Sequence, residues 1–289
     1  MTRVSVRRGV LYVSVAAAAW GTGGAAGSLL FQSAGLGPVG VSLWRYLLGA
    51  VFLLTLVRRR PRLDSRILLV GVGMAVYQTA YFGAISLSGV AVATVVTMGA
   101  TPVFTALGGR LFLGERLDRV GAVCVSAALA GLILLTAAGA VPAEGTLEEG
   151  TLAGIGLGLV SAAGYAAVTL HSRRHHDDPY GTAVGGFAVG ALCLAPFALV
   201  DGVLPHITLP TVGLLVYLGA VPTALAYGLY FRSLSALKAT TVSVISLGEA
   251  VGAAALGVLV FGERLTVLTT AGCLVLLGAV IVLTVHERG

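Results

Sequence analysis

Charged residues are scarce in this sequence. Asp, Glu, Lys and Arg make up 10% of its 289 residues, whereas hydrophobic residues make up 57%. Because a soluble domain usually carries about a quarter charged residues, this composition excludes an ordinary soluble protein. The net charge of +6 lies mostly in short loops between apolar runs. It therefore indicates orientation in a membrane, and no nucleic-acid partner is expected.

Sequence marks of catalysis and cofactor binding are also missing. There is no GxxxxGK(S/T) motif for ATP hydrolysis and no HExxH motif of a zinc protease. The three cysteines lie inside apolar runs, which favours buried thiols over redox or metal chemistry. The run HHDD at 175–178 offers metal ligands, but adjacent side chains point apart, so we expect a solvated loop. We expect no enzyme activity, no metal ion and no cofactor.

Long apolar runs fill most of the chain. Each approaches the ~20 residues that a helix needs to span a bilayer. Numbered here as segments 1 to 10, they lie near residues 9–31, 38–57, 67–86, 90–113, 119–140, 151–171, 181–200, 211–231, 239–261 and 267–285. The loops between them are too short for a soluble domain. The sequence therefore predicts an all-α membrane protein with ten transmembrane helices.

Lys and Arg are distributed unevenly among the loops. With the N-terminus in the cytoplasm, 16 of the 18 basic residues fall on the cytoplasmic side. Of the other two, Arg264 is placed outside and Arg45 lies within segment 2. An excess of Lys and Arg marks cytoplasmic loops. The prediction is a multi-pass protein of the plasma membrane with both termini in the cytoplasm.

One stretch of sequence occurs twice in similar form. Residues 99–117 read GATPVFTALGGRLFLGERL and residues 248–265 read GEAVGAAALGVLVFGERL, 148 positions apart when aligned on GERL. Each half then holds five segments, and because five is odd the second half enters the membrane from the opposite side. We predict two inverted five-helix repeats, 1–140 and 151–289, joined by an extracytoplasmic linker at 141–150.

The sequence resembles the EamA-type family of the drug/metabolite transporter superfamily over nearly its whole length. The resemblance is carried by AAWG at 18–21, WRYLLGA at 44–50, and the stretches that lead to the two GERL turns, the second of which covers 218–265. It implies a ten-helix inverted-repeat carrier whose central cavity is lined by segments 1, 3, 4, 6, 8 and 9. The family often has Glu-Pro in segment 9, where this chain has Glu249-Ala250, so the helix break that the proline would cause is not expected.

The predicted function is a secondary transporter, an exporter of small organic metabolites such as amino acids or amphipathic compounds, working by alternating access. Proton coupling is a possibility for such a carrier. The alternatives are a lipid or lipid-linked sugar translocase of the same fold, and a receptor or enzyme within the membrane. Two-carboxylate catalysis is excluded because the spanning segments contain one acidic residue only. The expected partners are a small-molecule substrate and the lipid bilayer, and the oligomeric state is not readable.

That acidic residue is Glu249, which lies about 15 Å into segment 9. A carboxylate at that depth costs roughly 2.5–3.5 kcal/mol or more unless it is protonated, paired or hydrated. It is a candidate substrate or proton-coupling ligand, and the alternative is a protonated structural glutamate. Gly248 and Gly252 have GxxxG spacing and are interpreted as packing residues. We expect segments 4 and 9 to cross near Pro102 and Glu249.

Arg45 is the only basic residue well inside a predicted helix. It is a candidate for pairing with a carboxylate, for capping a helix or for binding an anionic substrate. Snorkelling to the outer interface beside Trp44 and Tyr46 is the alternative. A structural or charge-pairing role is favoured, because the resemblance places segment 2 at the periphery.

Aromatic and polar residues recur at matched positions of the two halves. The alignment pairs Trp20 with Tyr165, and Gln78 with Tyr227. Aromatic walls with a polar edge suit amphipathic molecules or cationic amines, whereas core packing is the alternative explanation. These four residues and Thr101 join Glu249 as candidate substrate-binding residues.

Overall fold

The computed structural model describes residues 4–57, 64–137, 150–176, 178–201, 203–261 and 266–286. These residues form helices joined by short turns, with no strand among them, so the predicted all-α class is confirmed. The second GERL turn and the linker at 141–149 lie outside the described residues.

The helices follow the predicted segments closely. They are α1 (Val6–Ala34), α2 (Pro38–Val57), α3 (Ser65–Phe112), α4 (Arg119–Ala137), α5 (Thr151–Arg174), α6 (Pro179–Asp201), α7 (Leu209–Gly219), a π-helical segment (Ala220–Leu225), α8 (Ala226–Ser233), α9 (Ala239–Ser246), α10 (Gly248–Phe261) and α11 (Val267–His286). Segments 3 and 4 merge into α3, whereas segments 8 and 9 are each divided. The hydrophobic pattern therefore places the spanning segments well, but it does not locate their interruptions.

The long helix α3 turns back on itself. A straight helix of 48 residues would measure about 72 Å, more than twice the thickness of a bilayer core. The hydroxyl groups of Tyr81 and Thr94 lie 3.0 Å apart, whereas a straight helix would separate these residues by about 20 Å. We call Ser65–Ile85 the first arm and Val92–Phe112 the second arm, and both are apolar enough to span a membrane.

Helix α5 packs against both arms of α3. The Ser161 hydroxyl donates a hydrogen bond to the backbone oxygen of Tyr77 in the first arm at 2.8 Å. The Thr97 hydroxyl of the second arm donates to the backbone oxygen of Gly158 at 3.2 Å. These bonds satisfy hydroxyl groups that are buried inside the bundle. They fix α5 beside the two arms at the depth where cavity residues are found.

The length and surface of the helices identify a multi-pass membrane protein. In the described part of the chain nine segments are long and apolar enough to cross a bilayer, and a tenth, Arg119–Leu135, is apolar but shorter. Large apolar side chains face outward, with Val200, Leu209 and Leu259 more than 80% exposed. Such an exposed apolar surface suits lipid and would promote aggregation in water.

Basic residues gather at one end of the bundle, called here the basic end. Apart from Arg45, every Lys and Arg of the described ranges lies at a helix terminus or turn of this end: Arg7, Arg8, Arg66, Arg110, Arg116, Arg119, Arg173, Arg174, Arg232 and Lys238. Asp118 pairs with His286 here and accepts a hydrogen bond from the backbone of Gly121 at 2.8 Å. These contacts hold the pKa of Asp118 below its ordinary value, Gly121 more strongly than His286.

The opposite end is held by backbone contacts and not by ion pairs among the described residues. The backbone N–H of His206 donates to the backbone oxygen of Ala34 at 2.8 Å. The indole of Trp44 donates to the backbone oxygen of Val203, also at 2.8 Å. The loop before α7 is thereby tied to the end of α1 and the start of α2.

Helices α4 and α11 touch through glycine. A Cβ added at Gly272 would lie 2.4 Å from the backbone nitrogen of Leu135 and 2.6 Å from the backbone oxygen of Gly131. Real Cβ atoms do not approach backbone atoms this closely, so only glycine permits this crossing. Close approach through small residues is a common source of helix association in membranes.

We predict that Gly272→Ala destabilises the protein by about 1–3 kcal/mol, because the two helices must separate to admit the methyl group. The matched control is Gly278→Ala on the same helix, where an added Cβ meets nothing within 4 Å. Thermal melting of the purified protein in detergent measures both. Equal melting temperatures for the two variants would contradict the close crossing.

Candidate functional site

A cavity of about 330 Å³ lies at the centre of the bundle. Its lining comes from α1, α2, both arms of α3, α5 and the segments from α7 to α10. At the end opposite the basic end the lining reaches Val41 in the first turn of α2 and Ile85 at the end of the first arm. The size is that of a small-molecule site. The cavity therefore extends from mid-bundle toward the end that is poor in charge.

All six candidate binding residues line this cavity: Trp20, Gln78, Thr101, Tyr165, Tyr227 and Glu249. The aromatic pair Tyr81 and Phe82 lines it as well. Tyr230 and Phe231, an aromatic pair of α8, do not line it, since they are at most 2% exposed within the core. The structure brings the candidates together, and their role in binding stays a prediction.

Several polar lining residues were missed by the sequence reasoning. They are small hydroxyl-bearing residues and one tyrosine: Ser42, Tyr77, Thr97, Ser161, Ser243 and Ser246. A hydropathy pattern does not single out these residues, because serine and threonine are common in spanning helices. The three-residue spacing of Ser243 and Ser246 places them on one face of α9, and this spacing is the signal that could have found them.

Glu249 follows a break in the helix. Helix α9 ends at Ser246 and α10 begins at Gly248, so the expectation of an unbroken segment 9 is wrong. Alanine stands at the position of the family's proline, and the break lies instead just before Gly248, a weak helix former. Glu249 lies in the first turn of α10, where the positive end of the helix dipole stabilises a carboxylate. It makes no hydrogen bond or ion pair within the described ranges, which leaves it available to a ligand.

The glycines beside Glu249 pack on α1. A Cβ at Gly252 would lie 3.7 Å from backbone atoms of Ala18 and Gly21. Segments 4 and 9 do meet, as predicted, because Thr105 of the second arm shares a hydrogen bond of 3.0 Å with Ser243 of α9. The prediction that the glycines lie at this crossing is wrong. The expectation failed because the GxxxG pattern does not specify the partner helix.

Arg45 also lines the cavity, so the expectation that segment 2 remains at the periphery is wrong. Its Nε donates a hydrogen bond to the Thr223 hydroxyl at 3.2 Å, and its Nη2 lies 3.5 Å from the backbone oxygen of Pro222. The Thr223 hydroxyl in turn donates to the backbone oxygen of Leu218 at 2.7 Å. Arg45 thus supplies a positive charge to the same cavity as Glu249, and its proposed pairing role stays a prediction.

Pro222 explains why Arg45 finds these acceptors. It lies within the π-helical segment Ala220–Leu225. Proline has no N–H and disrupts the regular hydrogen bonds of an α-helix, which leaves backbone carbonyl groups without their usual donors. Arg45 and Thr223 satisfy two of these carbonyl groups inside the membrane, where water is scarce.

Five aromatic residues close the cavity toward the basic end, and we call them the aromatic floor: Trp20, Tyr77, Tyr165, Tyr227 and Tyr230. The ring centroid of Trp20 lies 5.0 Å from that of Tyr227 and 5.2 Å from that of Tyr230. The hydroxyl groups of Tyr77 and Tyr227 share a hydrogen bond of 2.6 Å. Edge-on aromatic pairs of this kind stabilise a packed core.

The HHDD run follows α5 at the basic end. The rings of His175 and His176 contact the backbone oxygens of His171 and Arg173, both within the same chain turn. Asp177 lies outside the described residues. In the described part of the molecule no group of three His, Cys, Asp or Glu side chains is placed to hold a metal ion.

Comparison with known proteins gives consistent matches. The model of the EamA-like transporter family matches residues 7–137 and again residues 152–285. The uncharacterized transporter YwfM of Bacillus subtilis is 28% identical over 286 residues, covering 96% of this chain and 94% of that protein. The uncharacterized inner membrane transporter YicL of Salmonella typhimurium is 25% identical, with 98% and 97% covered. A solved crystal structure shares the fold with a TM-score of 0.81 at 21% identity, covering 97% of each chain.

The aromatic floor offers a matched pair of substitutions. We predict that Tyr77→Phe destabilises the protein by about 1–3 kcal/mol, because it leaves the buried Tyr227 hydroxyl without a partner. The hydroxyl of Tyr165 makes no hydrogen bond of normal geometry, so Tyr165→Phe should cost less stability than Tyr77→Phe. Thermal melting distinguishes the two. A greater loss with Tyr165→Phe would show that the described hydrogen bonding of the floor is wrong.

Proposed function

The chain belongs to the EamA-like transporter family, and on this premise we propose that it is a secondary transporter that exports small organic metabolites by alternating access. Amino acids and small amphipathic compounds are the proposed cargo. The relatives named above are transporters and not enzymes, which agrees with a chain that carries no catalytic motif.

The observation that carries the proposal is a central cavity lined by one carboxylate and one guanidinium. Glu249 and Arg45 both line it, amid Gln78, serine and threonine hydroxyls and aromatic rings. A ligand with an ammonium group suits Glu249, and a carboxylate suits Arg45, whose guanidinium has five donors. The aromatic and apolar part of the lining suits the rest of an amphipathic molecule.

The size of the cavity favours a small cargo over the alternative of the same fold. About 330 Å³ lies at the lower end of the range for small-molecule sites. A lipid-linked sugar, with a long acyl or prenyl chain and a headgroup, would need a larger volume or a lateral opening. A small metabolite fits within the cavity as it stands.

Alternating access is proposed from the internal repeat. The family model matches the two halves separately, over 7–137 and 152–285. This supports two five-helix repeats, and the odd number of segments makes them inverted. Inverted repeats that share one central site are a recurrent architecture of secondary transporters.

The proposed orientation places the basic end in the cytoplasm, together with both termini, in the plasma membrane. Its support is the excess of Lys and Arg at that end. The cavity then extends toward the outside. Export as the net direction rests on the family resemblance, and Glu249 is the proposed group for coupling transport to protons.

Ligand stabilisation tests the proposal. The probes are an apolar α-amino acid, the amine that lacks its carboxylate and the acid that lacks its ammonium group. A ligand at one hundred times its Kd stabilises a folded protein by about 2.7 kcal/mol. We expect the amino acid to raise the melting temperature of the wild type most. If no compound of these three classes raises it, the proposed cargo is wrong.

The variant Glu249→Gln tests whether the carboxylate of Glu249 binds the ammonium group of the ligand. It keeps the shape of the side chain and one acceptor oxygen, but replaces the charged carboxylate by a neutral amide. We expect its melting temperature without ligand to match that of the wild type, and its response to the amine to be lost. The carboxylic acid without an ammonium group is the control and should stabilise both proteins equally. An unchanged response to the amine would remove Glu249 from the site.

A further inference from the structure

A short helical hairpin separates the cavity from the basic end. It consists of α8 (Ala226–Ser233) and α9 (Ala239–Ser246), eight residues each, and we call Ala226–Ser246 the gate hairpin. The π-helical segment precedes it, and the break at Leu247 follows it. Interruptions of this kind are common places for a helix to bend. The gate hairpin therefore lies between two places where the chain can bend.

The tip of the gate hairpin is held by a pair of charged side chains. Arg173, near the end of α5, donates a hydrogen bond through Nη1 to the backbone oxygen of Leu234 at 2.6 Å. Glu115, from the first GERL turn, accepts a hydrogen bond at Oε2 from the backbone N–H of Ala239 at 3.0 Å. The two side chains join through Arg173 Nε and Glu115 Oε1, also at 3.0 Å.

This arrangement gives the ion pair more than the usual effect of a surface pair. The side chains of Arg173 and Glu115 are 24% and 14% exposed, so water screens them only partly. Each also binds a backbone group that would otherwise lack a partner at a helix end. Charge-assisted hydrogen bonds are about twice as strong as neutral ones. The pair therefore fixes the hairpin tip to the first half of the chain and to α5.

The gate hairpin carries the residues that close the cavity. Tyr227 and Tyr230 of α8 belong to the aromatic floor. Ser243 of α9 shares a hydrogen bond of 3.0 Å with Thr105 of the second arm, and both residues are at most 1% exposed. Movement of the hairpin away from the second arm would open the floor toward the basic end.

The closed floor also contains a group that favours its opening. The indole nitrogen of Trp20 is buried without a hydrogen-bond partner in the described part of the chain. A buried polar group without a partner is costly, and contact with water removes that cost. A separate contact must therefore keep the floor closed, and the Glu115–Arg173 pair is placed to do so.

We propose that Glu115 and Arg173 form the latch of an inner gate, and that the gate hairpin swings open toward the basic end when this latch is released. The inference rests on the proposed transport function and orientation. Glu115 and Arg173 are positioning residues, because they act on the hairpin tip and do not line the cavity.

The ion pair of Glu115 and Arg173 has no equivalent at the opposite end of the bundle. The repeat alignment that pairs Trp20 with Tyr165 places the counterpart of Arg173 in the last turns of α1. From Gly21 to Ala34 that helix contains no charged residue. An ion pair with the same helices therefore exists at the basic end only. We infer that the latch favours the conformation whose cavity extends away from the basic end.

Side-specific labelling tests the latch without any substrate. In a chain whose three cysteines are replaced, Ser243→Cys serves as the reporter. Inside-out membrane vesicles present the basic end to an impermeant maleimide. We expect Arg173→Ala and Glu115→Gln each to accelerate labelling about tenfold, the factor that corresponds to about 1.4 kcal/mol. The double variant should label no faster than Arg173→Ala, since the two side chains act as one latch.

Two controls make the result decisive. Arg174→Ala removes the neighbouring, exposed charge and should leave labelling slow. Ala183→Cys, fully buried in α6, should stay unlabelled in every variant whose fold is intact. If the cysteine of Ala183→Cys becomes labelled in the Arg173→Ala variant, that variant is not properly folded. The milder substitution Glu115→Gln is then used to test the latch. The latch is overturned if labelling of Ser243→Cys is as slow with Glu115→Gln as with Arg174→Ala.

The experiment separates the gate from the cargo. Faster labelling combined with no ligand stabilisation would keep the latch and remove the proposed cargo. Slow labelling in the latch variants combined with a normal ligand response would remove the latch and keep the cargo.

Discussion

Two charges held at the depth of the bilayer core constrain the rest of this structure. A carboxylate or guanidinium there costs roughly 2.5–3.5 kcal/mol or more unless water, a partner or a dipole stabilises it. Glu249 lies at the N-terminal end of α10 and lines the cavity, and Arg45 donates to carbonyl and hydroxyl oxygens of the π-helical segment. The bundle therefore has to keep a polar cavity at its centre, and a ligand of complementary charge has a place to bind.

The same constraint accounts for the interrupted helices of the second half. Within a regular helix the backbone N–H and C=O groups form hydrogen bonds with one another, so none is free to bind a group in a cavity. The π-helical segment around Pro222 presents carbonyl groups to Arg45, and the break at Leu247 presents a helix N-terminus near Glu249. The two arms of α3 in the first half show no comparable break. The bends thus lie on either side of the gate hairpin, and in our proposal they link ligand binding to gating.

The sequence predicted the spanning segments and the candidate site residues better than the details of helix geometry. Length and hydropathy report which residues can face lipid, so the ten segments correspond to helices in the structure. Glu249 was identified from the sequence because a single carboxylate within an apolar segment costs free energy in a bilayer, whichever way its side chain is oriented. The lining role of Arg45 and the partner of Gly252 depend on how helices pack, and hydropathy does not report packing. The break before Glu249 was missed because we expected it only from a proline after Glu249, whereas the helix is interrupted before Gly248, a weak helix former.

Counterflow in proteoliposomes tests the central claim, that the cavity with Glu249 and Arg45 is the binding site of a carrier. Purified protein is reconstituted with an unlabelled ligand from the stabilisation screen inside, and the labelled ligand is added outside. The account predicts transient uptake of label above its external concentration, at a rate that depends on the internal ligand. Binding of the label without such exchange, equal to that of a receptor, would contradict it.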